Sequence, residues 1–180
     1  MTYVGVIIMK APKIETDNIY SLLSQSSVLY DDKGEIIDNV FADENRTIVG
    51  IDQIPDHVQK AFIALEDKTF ESHHGFNIIR IFGAVKDALF NGGHISGTST
   101  ITQQLLKNTV FTSWTSESSM ADKFERKFQE QYLALQLEKV VDKDWILENY
   151  LNAINLGQNT LGVGVASERY FGKDVSDLTL

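Results

Sequence analysis

Along residues 26–49 apolar and polar positions alternate around DDKG, and SSVLYDDKGEIID reads as a β-hairpin with Gly34 supplying the tight turn. The period then becomes helical. Val58, Ala61, Phe62 and Leu65 fall at i, i+3, i+4 and i+7 after Pro55, which predicts a helix with one apolar stripe ending at Glu66. Residues 76–90, FNIIRIFGAVKDALF, are apolar far beyond what a surface loop requires, and NGG at 91–93 breaks the chain after them. A helix is predicted from about Ser99 to Thr109. The longest periodic segment, 121–140, sets Phe124, Phe128, Tyr132 and Leu135 along one side, and residues 143–154 and 161–171 give two more helices, the last closed by Gly172. Trp145, Ile146, Leu147, Tyr150 and Leu151 are core candidates. The fold class expected is mainly α, with a small N-terminal β-hairpin.

Composition narrows the function. The 180 residues suffice for one domain with a proper core. Net charge is −9, which disfavours a nucleic-acid partner held through phosphates. The acidity is uneven: residues 1–60 carry 10 acids against 5 bases, whereas residues 101–140 balance at 5 and 5. An anion-binding surface is therefore expected in the second stretch. With no Cys, disulfides and thiolate metal sites are excluded. No segment reaches the ~20 apolar residues that span a bilayer. TYVGVIIM is too short to cross, and residues 1–25 are expected to be a stub following a membrane anchor, with the domain proper at 26–180 and continuing past SDLTL.

Three stretches carry candidate chemistry. In ALEDKTFESHHGF, Glu66 and Asp67 stand where a helix stops. This is either a solvated helix end or a carboxylate placed as a general base at the edge of a cleft. Adjacent His73 and His74 seldom converge on one ion, so hydrogen bonding or packing is expected of them. In ISGTSTITQQLLKN, Thr100 and Gln103 have capping-box spacing. That leaves a further hydroxyl, Gln104 and the free amides of the first turn for an anion or a sugar, with Lys107 on the same helix. In ADKFERKFQEQ, Lys123, Arg126, Lys127 and Glu130 share one helical face, as a solvated stripe or as a cationic site. Two separated carboxylates, a polar helix start and a cationic stripe together suggest carbohydrate chemistry. The surplus of cations favours transfer from a phosphorylated sugar, since cations and amides stabilise a leaving phosphate while one base activates the acceptor.

EDKTFESHHG, GTSTITQQLLKN, RKFQE, KDWILENYLN and LGVGVASERYFGK, in this order and spacing, resemble the five motifs of the family 51 glycosyltransferases. These are the peptidoglycan glycosyltransferase domains of class A penicillin-binding proteins and of monofunctional transglycosylases. The resemblance implies a lysozyme-like, mostly α fold and polymerisation of lipid II into glycan strands at the extracytoplasmic face of the bacterial cytoplasmic membrane. It implies Glu66 as the base for the acceptor 4-hydroxyl and Glu130 as a second essential carboxylate ordering the donor pyrophosphate, in some accounts through a divalent cation (Mg or Mn). No organic cofactor is implied. Ser99, Gln103, Gln104, Lys107, Arg126 and Lys127 match donor-contacting positions, and Lys123 stands in for an arginine often found before the RK pair. Residues 76–90 resemble a membrane-dipping region, buried core being the other reading of several of them. A transpeptidase domain is expected in the parent protein. Two alternatives remain: a lysozyme-like peptidoglycan hydrolase, and a non-catalytic module that binds lipid II.

Overall fold

The computed structural model describes residues 3–12, 14, 27–30, 36–40, 45–91, 97–111, 119–158 and 160–180. The protein is mainly helical. Among the described residues, seven α-helices run in order: α1 (Tyr3–Met9), α2 (Asp56–Glu66), α3 (Ile78–Asn91), α4 (Ile101–Thr109), α5 (Met120–Leu137), α6 (Lys143–Ala153) and α7 (Val163–Phe171). Strands β1 (Ser27–Tyr30) and β2 (Ile36–Val40) pair antiparallel, with Ser27 opposite Val40. The turn predicted at Gly34 lies outside the described residues. β3 (Asn45–Arg46) pairs in parallel with β4 (Thr160–Leu161).

Helix α4 packs against both α5 and α6 at the centre. Ile101, Leu105 and Leu106 of α4, Leu133, Ala134 and Leu137 of α5, and Ile146, Leu147, Tyr150 and Leu151 of α6 form the buried core, joined by Phe70 and Ile54. Trp145 packs against this core only partly buried. Local signals explain where the helices begin. Thr100 caps α4 through the amide of Gln103, and Gln103 reaches back to the Thr100 amide at 2.9 Å. Asp142 caps α6, and Gly172 closes α7 in the left-handed region at φ 62°. α1 lies along α5, where Gln129 Nε2 donates to the Ile7 carbonyl at 3.1 Å. Among the described residues no helix is long and apolar enough to cross a membrane.

Two faces differ from the pattern read along the chain, and on a third the exposed of its two readings agrees with the structure. On α5 the buried side is Arg126, Gln129, Glu130, Leu133, Ala134 and Leu137, not the Phe124 stripe. Phe124 is 57% exposed, and its ring lies tilted against that of its neighbour Phe128, with centroids 4.7 Å apart. The inversion arises because the middle of α5 buries charge, Arg126 and Glu130, that is neutralised in place, a pattern that hydrophobic period cannot register. On α2, Leu65 is 82% exposed, while Val58, Phe62 and Ile63 are the side chains packed on the core. On α3, Ile78, Ile79, Phe82 and Phe90 are all exposed, so burial in the core does not account for them.

Candidate active site

A cleft of about 300 Å³ is lined by Leu65 and Glu66 of α2, Arg80 of α3, Gly97 and Ser99 before α4, Gln103, Gln104 and Lys107 of α4, and Lys127 of α5. Five of the residues singled out in the sequence for donor binding are thus on one wall or another of the same cavity as Glu66. Gln104 Nε2 donates to Glu66 Oε2 at 3.0 Å, which fixes that carboxylate across the cleft from its own helix. Lys127 Nζ donates to Ser99 Oγ at 3.2 Å and to Glu130 Oε2 at 2.6 Å. Arg126 donates to the other oxygen, Glu130 Oε1.

Glu130 is completely buried, and the two cations of the RK pair take up both its oxygens. It is therefore a strut beneath the cationic wall rather than a group facing the cavity. A carboxylate so neutralised is a poor cation ligand, and among the described residues no three His, Asp or Glu converge as a metal site. Among the described residues, the side chains around Glu130 do not form a site that fits a divalent ion. Lys123 is exposed and does not line the cleft.

The start of α4 is occupied differently from the expectation that its first-turn amides are open to a ligand. The Ile101 amide donates to Asp67 Oδ2 at 3.2 Å and the Gln103 amide to Thr100 Oγ1 at 3.2 Å. The anion at this helix N-terminus is the chain's own Asp67, fully buried one residue after Glu66. His73 Nδ1 accepts the Gly75 amide at 3.2 Å, so Nε2 carries the proton and donates to Asp67 Oδ2 at 2.6 Å. Burial pushes the Asp67 carboxyl up, but the His73 hydrogen bond, the Ile101 amide and the Thr69 hydroxyl together outweigh it and hold it below its ordinary value. The expectation of a hydrogen-bonding His73 is met, and His74 is exposed. Behind Glu66, the buried Tyr150 hydroxyl is raised by burial and then by the charge of Glu66, and it has no hydrogen-bond partner among the described residues.

Leu65, Arg80 and Gly97 were not among the site residues read from the sequence. Arg80 carried no distinguishing signal in the sequence, being one of two cations, with Lys86, in the largely apolar run 76–90.

The arrangement can do three things at once. A carboxylate held by an amide can accept a proton, a facing lysine pair on α4 and α5 can stabilise an anion, and hydroxyl and amide side chains between them can bind a sugar.

Residues 33–180 match the family described as Transglycosylase. The chain is 46% identical over 182 residues to penicillin-binding protein 1A of Clostridium perfringens, covering 99% of this chain and 26% of that protein. It is 42% identical over 182 residues to penicillin-binding protein 1A of Clostridium tetani, covering 98% and 22%. With penicillin-binding protein 1A/1B of Bacillus subtilis the identity is 42% over 177 residues, covering 98% and 18%. The chain therefore spans about a quarter or less of the length of the curated relatives it matches.

Proposed function

The chain belongs to the transglycosylase family, and from that premise we propose that it is a peptidoglycan glycosyltransferase domain of lysozyme-like fold that polymerises lipid II into glycan strands. The observation that carries the reading is the placing of Glu66 in one cleft with Ser99, Gln104, Lys107 and Lys127.

In this reaction the Glu66 carboxylate takes the proton of the acceptor 4-hydroxyl as that oxygen forms a bond to the donor's anomeric carbon from the face opposite the leaving group. The bond from that carbon to the diphosphate oxygen breaks, and the electron pair leaves with the lipid diphosphate. The anomeric centre is inverted. Lys107 and Lys127 stabilise the charge that develops on the diphosphate, and Arg126 and Glu130 hold Lys127 in place. Ser99, Gln103 and Gln104 bind the donor sugar, with Gln104 also aiming the base. A divalent cation would enter bound to the substrate's diphosphate and would supply further neutralisation of its charge.

The exposed apolar residues of α3 fall within an arc of about 120° at 100° per residue, and they support contact of residues 76–90 with the membrane surface that holds the substrate's lipid tail. The protein then works at the extracytoplasmic face of the cytoplasmic membrane, and the length of its relatives supports a transpeptidase domain elsewhere in the parent protein. A hydrolase of the same fold has no use for a cationic wall. Incubation with lipid II and, separately, with finished peptidoglycan separates the two: strand synthesis is the expected result, and cleavage of finished strands without synthesis overturns the proposal.

A further inference from the structure

Arg80 sits on α3 away from its exposed apolar arc, at roughly 135° from the centre of that arc at 100° per residue, and its guanidinium reaches two other parts of the cleft. NH1 donates to Asp67 Oδ1 at 3.2 Å and to the Glu66 carbonyl at 3.4 Å. NH2 donates to the same carbonyl at 3.4 Å and to the Gly97 carbonyl on the segment leading into Ser99 and α4. The Glu66 carbonyl belongs to the last turn of α2, where carbonyls lack intrahelical partners and a cation is favoured by the helix dipole. Arg80 thus caps the helix that carries the proton acceptor, and with the same planar fork it clamps the donor-side segment to that cap.

We infer that Arg80 is a positioning residue of the transfer reaction, fixing the Glu66 turn relative to the Gly97–Ser99 segment from a third element, α3. This rests on the glycosyltransferase reading of the cleft. It is a role for a fork rather than for a charge. A guanidinium spans acceptors on both walls, whereas the single ammonium of lysine satisfies one of them while keeping Asp67 partnered. Because the guanidinium is already engaged by Asp67 and two backbone carbonyls, its effect falls on the geometry of the reacting groups and not on capture of the donor.

The test uses the full-length protein in detergent with lipid II, comparing wild type, Arg80→Lys and Arg80→Ala for kcat, KM, lipid II binding stoichiometry and Tm. Arg80→Lys is expected to lose about tenfold to a hundredfold in kcat, the cost of misplacing a reacting group by a fraction of an ångström to an ångström. Its KM should stay within about threefold, and its Tm and binding stoichiometry should match wild type, so that neither lost fold nor lost binding explains the slower turnover. Arg80→Ala should be at least as slow. An Arg80→Lys variant with wild-type kcat overturns the inference, as does a loss confined to KM or one that follows a fall in Tm. A wild-type protein that makes no strands fails differently: it removes the functional reading itself.

Discussion

Glu66 and Glu130 are both carboxylates on helices, yet their surroundings assign them different work. Glu66 is partly exposed and held by one neutral amide, whereas Glu130 is fully buried between two cations. Glu66→Gln should therefore leave Tm nearly unchanged. Glu130→Gln takes this carboxylate from the buried Arg126, and should cost roughly 3 kcal/mol, or about 6 to 12 °C in Tm, which differential scanning calorimetry will read. Asp67 supplies a third case. Its folded-state carboxyl is held below its ordinary value, so its contribution to stability is complete above the unfolded-state value of about 4 and is lost as pH falls through the lowered folded value. Thermal melts of wild type should consequently weaken with acid in that window. Asp67→Asn should be less stable at neutral pH and should lose less on acidification, and parallel melts at pH 7 and pH 3 check the pair.

At the scale of elements, a glycine and an apolar face carry the argument. Gly75 has φ 91°, and a Cβ there would come within 2.6 Å of the Ala134 backbone in α5, while its carbonyl receives the Thr100 hydroxyl at 2.6 Å. The loop after α2 is thereby seated on α4 and α5 together. Gly75→Ala should destabilise by on the order of 3 kcal/mol, from strain and overlap combined, seen as a lowered denaturation midpoint. The α3 face makes the opposite prediction. Replacing Ile79 and Phe82 by Ser should leave Tm unchanged, since both side chains are exposed, and should lower sedimentation with phospholipid vesicles several-fold. The positions of α2, α4, α5, α6 and α7 and the ends marked by Thr100 and Gly172 were legible in the sequence because those two residues act within one turn of chain, whereas α1, α3 and the Asp142 cap were not read there. The burial of α5 was not legible, because Arg126 and Glu130 are solvated residues by type and become interior only through one another. The Asp67 carboxylate at the start of α4 was equally hidden, since it depends on a contact between residues 34 positions apart.

At the scale of the whole molecule, α4 holds the centre of the core with one side and presents Gln103, Gln104 and Lys107 to the cleft with the other. In the proposed reaction the proton acceptor comes from α2, the cations from α4 and α5, and the clamp from α3. Motif order and spacing made most of that set readable before any contact was known, whereas the meeting of Arg80 with two walls required the fold. The central claim is that one carboxylate facing this cationic wall drives glycosyl transfer. The most direct measurement of it is polymerisation of lipid II by wild type and Glu66→Gln side by side, with lipid II binding measured on both. The account predicts that Glu66→Gln loses at least about 10²- to 10⁴-fold in turnover while binding lipid II within about threefold of wild type. A Glu66→Gln protein that still builds strands at a rate near wild type would contradict it.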